Sequence, residues 1–277
     1  ESCYATGDVT IGGNSNKAAT FVGANGRNAQ QALDPVPYEG IIINCFATGK
    51  CATTTNGWLE GFLANFQDRD NRETITAYCV TNADNYPYNG LTVSEGGTRP
   101  GCKGGALRRT TAVMQSQAFV DTLNKMAAVA GTSLWEWRED NYPLPTGVKA
   151  DITSCFSGGG SGTKDDPFRI RTKQDLEWVS ALTNLGWRFD NQYILLENDI
   201  ELNAPFEEWG TTLPTLWQPI GRSVSEKTPA SSANFEYEFR GTFDGGFHSV
   251  RNMYLNDVTG ETPQGFFGII NGATVKN

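Results

Sequence analysis

Between Phe235 and Phe243 the chain alternates: Phe235, Tyr237, Phe239 and Phe243 take alternate positions, with Glu236, Glu238, Arg240 and Thr242 between them. A period of two predicts a half-buried strand, one face core and the other wet. Asp244-Gly245-Gly246 follows with turn residues that tolerate positive φ, and Val250, Met253 and Leu255 resume apolar spacing in a second short strand. A third strand is expected near Gly265 to Ile270 and a fourth near Ala273 to Val275. Each closes on Gly, Asn or Asp within about ten residues, and no Asn-Gly turn joins equal arms, so stacked rungs are predicted in preference to hairpins. Upstream, Tyr193 to Leu202 places Ile194, Leu196, Ile200 and Leu202 on one side. Asn198 falls on that same inward side, where it can hydrogen-bond along a turn.

Two segments carry the helical period instead. Phe119, Val120, Leu123, Met126 and Ala127 recur at helical spacing after Ser116, a good N-cap residue. Thr172-Lys173-Gln174-Asp175 resembles a capping box, with Leu176, Val179 and Leu182 as a stripe behind it. A short helix there is expected to cap the open end of a coil.

The N-terminal part repeats itself. Cys3-Tyr4-Ala5-Thr6-Gly7-Asp8-Val9 recurs as Cys45-Phe46-Ala47-Thr48-Gly49-Lys50-Cys51, with a weaker echo at Cys79-Val80-Thr81-Asn82. Phe21-Val22-Gly23-Ala24-Asn25 recurs as Phe62-Leu63-Ala64-Asn65 at nearly the same offset. A fixed period of this size predicts a solenoid with two rungs per repeat. The Gly/Ser-rich run Ser157-Gly158-Gly159-Gly160-Ser161-Gly162 reads as a flexible linker, giving units at 1–146 and 167–277 with 147–166 between them.

These strings resemble a known family. GTFDGGFHSVRNMYL followed by GFFGIINGATVKN is similar to the start of the GLUG-motif repeats of surface proteins from the Bacteroides group. The preceding GSGTKDDPFRIRTKQDLEWV, YILLENDIEL and Trp217-Gln218-Pro219-Ile220-Gly221 resemble the leader of such repeats, and CYATGDV and FVGANG resemble the late ones. The resemblance implies a right-handed parallel β-helix and an adhesin-like surface protein without an assigned ligand. The fold expected is therefore all-β, a parallel β-helix in two partial units with short capping α-helices. The chain opens within one coil and stops within another, so either it is a piece of a longer tandem array or its half-coils complete each other head to tail in a filament.

Composition narrows the partners. Of 277 residues, 31 are Gly and 12 Pro, which favours turn-rich β structure, and the formal net charge of −9 lacks any compensating basic cluster. Nucleic acid and anionic membrane surfaces reward basic patches, so neither is expected. No apolar run reaches the roughly 18 residues of a transmembrane helix. The six cysteines, Cys3, Cys45, Cys51, Cys79, Cys102 and Cys155, lack zinc-like spacing; some disulfides are compatible with an oxidising location, and the pairing stays open.

Candidate chemistry is sparse. His248 is the only histidine and sits in a turn, where a turn-stabilising hydrogen bond is the expected role. The carboxylate pairs Asp199/Glu201 and Glu236/Glu238 lie two apart on strands, about 6.6 Å, near the separation of inverting glycosidases. Any solvated strand face produces such pairs, so no catalytic residue is assigned. Asp68-Arg69-Asp70-Asn71 is the one acidic loop suggestive of a structural Ca2+; it lacks the glycine and distal Glu of an EF-hand, and neither metal nor cofactor is expected. Aromatics are the better lead: Trp187 and Trp209 in polar loops and Tyr86 and Tyr88 flanking Pro87 are candidates to stack on sugars, while Trp135, Trp137 and Trp217 read as closing and core residues. Two functions stay open: a secreted or cell-surface structural, adhesive protein engaging itself, neighbouring repeats, glycans or host surface proteins; or a polysaccharide-binding or polysaccharide-degrading protein.

Overall fold

The computed structural model describes residues 1–11, 17–21, 41–53, 58–60, 62, 75–85, 106–210, 213–228, 231–256 and 263–277. Its contacts form two units, Glu1–Ala150 with Ser225–Phe235, and Asp151–Val224 with Glu236–Asn277.

The first unit is built from β1 (Tyr4–Ala5), β2 (Val9–Ile11), β3 (Lys17–Ala19), β4 (Ile41–Ala47), β5 (Cys51–Thr53), β6 (Trp58–Glu60), β7 (Ile75–Asn82) and β8 (Ala106–Arg109). Strands β1, β4, β7 and β8 pair in that order, all parallel, while β2 pairs with β5 and β3 with β6. Both faces of β4 are covered, which is why it reads Ile-Ile-Ile-Asn-Cys-Phe-Ala without polar alternation. On one face Phe46 is fully buried among Phe119, Trp135 and Tyr142, with ring centroids 5.9, 5.2 and 6.2 Å away. On the other, Ile42, Cys45, Ala47 and Cys79 enclose Phe62, whose ring stacks on Phe21 at 4.6 Å.

After the short α1 (Thr111–Met114), α2 (Gln117–Ala130) supplies the second layer of this core. Ser116 caps it as expected, its hydroxyl accepting the Phe119 N–H, and Gly131 closes it at φ 64°. Phe119, Val120, Leu123, Met126, Ala127 and Val129 are buried along one side. At the same register of three successive strands, Ser2, Asn44 and Tyr78 take positive φ (48°, 57° and 47°) and turn the backbone. Asn44 donates from Nδ2 to the Leu123 carbonyl at 2.9 Å, tying that turn to α2. The unit ends in an antiparallel pair, β9 (Ser133–Glu136) with β10 (Leu144–Lys149).

The second unit opens on a turn from Asp151 and contains β11 (Phe168–Ile170), α3 (Lys173–Thr183), β12 (Tyr193–Leu196) and β13 (Ile200–Glu201). Next in the chain, β14 (Arg222–Thr228) and β15 (Ser231–Tyr237) pair with each other, their residues from Ser225 to Phe235 counting with the first unit, and the second unit resumes with β16 (Thr242–Asp244), β17 (Val250–Arg251) and β18 (Thr274–Lys276). Strands β11, β12, β16 and β18 form a parallel sheet in that order, and β13 pairs in parallel with β17. A run of phenylalanine rings, Phe168, Phe189, Phe239 and Phe267, fills the interior at centroid steps of 6.5, 5.7 and 5.6 Å. Thr172 and Asp175 form the expected capping box, and Leu176, Val179 and Leu182 are buried behind it.

The all-β, right-handed parallel β-helix expected from the sequence is corrected by these elements. Among the described residues, α-helices of 14 and 11 residues stand beside the strands, and the sheets are mixed: two parallel four-stranded sheets and an antiparallel pair. The helix α2 is a core layer, not a short cap, because its apolar side completes the burial of Phe46 and Tyr78. The repeat offset read from the sequence holds where Tyr4 lies opposite Phe46, Val9 opposite Cys51 and Lys17 opposite Trp58, but it shortens afterwards, with Cys45 opposite Cys79 and Cys79 opposite Ala106.

Smaller expectations divide. Ile194, Leu196, Ile200 and Leu202 are buried as the alternation requires, but Asn198 is exposed, donating from Nδ2 to the Arg171 carbonyl at 3.1 Å. Tyr237, Phe239 and Phe243 are buried; so is Glu238, which accepts from Asn271 Nδ2 at 2.9 Å and lies 3.8 Å from Arg240. The Gly/Ser-rich run expected as a flexible linker is hydrogen-bonded: Gly158 N–H donates to the Arg169 carbonyl and Ser161 N–H to that of Asp166. Gly160 there takes φ 99°, and a Cβ on it would lie 1.9 Å from the Pro167 oxygen.

Candidate functional site

Pro205 opens a single 3-10 turn, Phe206–Glu208, that ends at Trp209. Such a turn brings positions three apart together, and the Phe206 and Trp209 rings meet edge to face, 5.1 Å between centroids and 65° between planes. Trp209 also meets Tyr254, brought in from beyond β17, at 5.3 Å and 76°. The indole of Trp209 donates to the Ala204 carbonyl at 2.8 Å, which fixes the ring's attitude. Phe206 is 71% exposed, while Trp209 and Tyr254 are half-buried. A ring cluster anchored at one edge and open to solvent at the other is a platform for a flat, amphipathic ligand.

A row of polar groups runs into the platform. Arg251 reaches Asp199 at 3.1 Å and Glu201 at 3.4 Å, and also donates to Ser249 Oγ at 3.2 Å. Asn252 donates to Glu201 at 2.7 Å, and its carbonyl accepts from Asn203 Nδ2 at 3.0 Å. Asn203 holds the next segment on both sides, donating to the Thr215 carbonyl and accepting the Thr215 N–H at 2.6 Å. Leu216 then bridges to Tyr254, and Asn256 donates to the Tyr254 hydroxyl at 3.1 Å. From Asp199 to Tyr254 this is one hydrogen-bonded row of carboxylate, guanidinium and amide groups ending in three rings. The Ser249 N–H foremost, then His248 and Arg251, hold the Asp199 carboxyl below its ordinary range.

His248 fills the turn-stabilising role expected of it, its N–H donating to the Gly245 carbonyl at 2.8 Å and Nδ1 lying 3.3 Å from Asp199. Asp199 and Glu201 share an arginine, so they are a charge-paired surface row; of the other carboxylate pair, Glu238 is buried, and the Glu236 side chain lies outside the description. Trp187 is half-buried, its indole donating to Gln192 at 2.8 Å in the loop after α3, away in sequence from Trp209's ring partners. Tyr86, Tyr88 and the acidic loop at Asp68 to Asn71 lie outside the described residues. Trp135 and Trp217 are buried, whereas Trp137 is 42% exposed. Among the described residues no three or more His, Cys, Asp or Glu side chains gather as a metal site, and Cys3, Cys45 and Cys79 are free thiols. No described helix is long and apolar enough to cross a membrane.

Sequence reading found Trp209 but missed Phe206, Tyr254, Arg251 and Asn252. The Pro-led spacing of Phe206 and Trp209 was the available signal; nothing local marks Tyr254 as their partner, because the contact depends on β13 pairing with β17.

Neither a family model nor a solved structure matches the chain. Over 129 residues, 47% of its length, the chain is 27% identical to a protein of Evansella cellulosilytica that carries the provisional description Gly-rich membrane protein. The matched segment spans 12% of that protein's length.

Proposed function

We propose that this chain belongs to an extracellular, surface-associated adhesive protein, and that the Phe206–Trp209–Tyr254 platform with its polar row takes a neutral polysaccharide. The observation that carries the reading is the ring cluster, exposed at Phe206 and half-buried at Trp209 and Tyr254, beside the Asp199–Arg251–Glu201–Asn252 row. Sugar rings offer apolar C–H faces for aromatic stacking and hydroxyls for carboxylate, amide and guanidinium partners, which is the pairing of chemistries present here. The net charge of −9 weighs against polyanionic ligands, and the likeness of its motifs to GLUG-repeat surface proteins favours adhesion over catalysis. Affinity electrophoresis of the chain in gels containing neutral glucans, xylans or mannans tests it. Retardation by at least one polymer, weakened roughly tenfold or more by Trp209→Ala, is expected. Retardation by none, or equal retardation of the variant, refutes it.

A second reading, head-to-tail self-association, draws on β18, an edge strand whose three residues are all exposed. Light scattering separates the two: mass rising steadily with concentration favours assembly, and a constant monomer mass rules it out.

A further inference from the structure

Three cysteines of the first unit occupy one register position of its parallel sheet. Cys45 and Cys79 are directly opposite each other, and Cys3 stands opposite Cys45 on the far side, since Tyr4 faces Phe46. The Cys3 N–H donates to Cys45 Sγ at 3.4 Å, and the next bond along the strands runs from the Phe46 N–H to the Cys3 carbonyl at 3.1 Å. Side chains in register on adjacent strands share a face, and the inter-strand spacing of about 4.8 Å falls inside the Cα separation a disulfide spans. Cys45 can therefore join either neighbour, but not both.

Accessibility separates the two choices. Cys3 is exposed, with its thiol donating to the Glu1 carbonyl at 3.2 Å, whereas Cys45 and Cys79 are 1% and 0% exposed. Exchange starts with a thiolate that can meet the oxidant. Burial pushes the Cys45 thiol up to about 11 and the Cys79 thiol well above its ordinary value, so neither initiates.

We infer that Cys3 and Cys45 form a cross-strand disulfide that staples the edge strand β1 to β4 when the protein meets a disulfide oxidant, with Cys79 remaining a buried thiol. The Cys3 thiolate attacks a low-molecular-weight disulfide, forming a mixed disulfide and expelling one small thiol. The Cys45 thiol then loses its proton, attacks Cys3 Sγ and expels the second small thiol. In sum, two protein thiols and one small disulfide become one protein disulfide and two small thiols. The second step is the slower one, because Cys45 is seldom ionised.

The test incubates the reduced full chain with oxidised glutathione, quenches with acid and maps peptides without reduction. A Cys3–Cys45 linked peptide, lighter by two hydrogens than the separate thiol peptides, is expected, preceded by a transient glutathione adduct on Cys3. Cys79→Ala keeps the link, and Cys45→Ala leaves Cys3 permanently as the adduct. A stable Cys3 adduct in the unsubstituted chain, a Cys45–Cys79 link, or Cys3 joined to any other cysteine each overturns the inference. The unsubstituted chain decides the matter even where an alanine variant folds poorly.

Discussion

Asp175 is the residue on which the start of the second unit turns. Its carboxylate is 5% exposed and accepts the N–H groups of Ser157, Arg171 and Thr172 at 2.9, 3.0 and 3.1 Å, together with the Ser157 hydroxyl. One side chain thereby caps α3, joins β11 to α3 and anchors the turn before the Gly-rich run. In Asp175→Ala the capping part costs about 1 kcal/mol. The two bonds from Ser157 to a charged acceptor add about 2 kcal/mol, for a total near 3 kcal/mol. At about 4 °C per kcal/mol for a unit of this size, its transition falls by roughly 12 °C. Burial by itself raises the Asp175 pKa, but the hydrogen bonds from Ser157, Arg171 and Thr172 together outweigh it and leave the value lowered. A carboxyl lower in the folded state than in the unfolded chain stabilises in full above the unfolded value of about 4, and this contribution is lost as pH falls through the folded value. Calorimetry from pH 7 to 2.5, with peptide-resolved hydrogen exchange over 168–183, reads both effects. Asp175→Asn should flatten the acid limb of the stability curve as well as lower its plateau. A shift under about 2 °C with an unchanged acid limb would refute the staple.

Three further substitutions probe other links. Phe46→Ala removes a fully buried ring that meets Phe119, Trp135 and Tyr142, and should cost about 3–5 kcal/mol by urea denaturation. Gly160→Ala places a Cβ against the Pro167 carbonyl at a φ that disfavours side chains, so loss of more than about 1 kcal/mol is expected in the same assay. Arg251→Ala, by contrast, breaks only exposed ion pairs to Asp199 and Glu201 and should move the melting temperature by about 1 °C or less. If sugar binding nonetheless weakens in Arg251→Ala, the polar row contributes to recognition as well as to shape.

What could be read in the chain was what neighbours within a few residues decide. The Ser116 and Thr172 caps, the buried side of Ile194 to Leu202 and the turn role of His248 all follow from local hydrogen bonds and side-chain period, and all are present. The balance of layers was not readable, because an amphipathic helix looks the same whether it covers an end or forms half a core; α2 forms half a core only because Phe46 and Tyr78 meet Phe119 there. Nor does alternation reveal Glu238, which is buried beside Arg240 and against Asn271 from a separate segment. The candidate platform shows the same division. Phe206 and Trp209 are close by virtue of one local turn, but Tyr254 joins them, and Arg251 meets Asp199 and Glu201, only once β13 and β17 lie side by side. Local propensity and period are set by chain geometry over one or two turns, whereas partners some fifty residues apart are chosen by strand register, which is settled when the whole core packs.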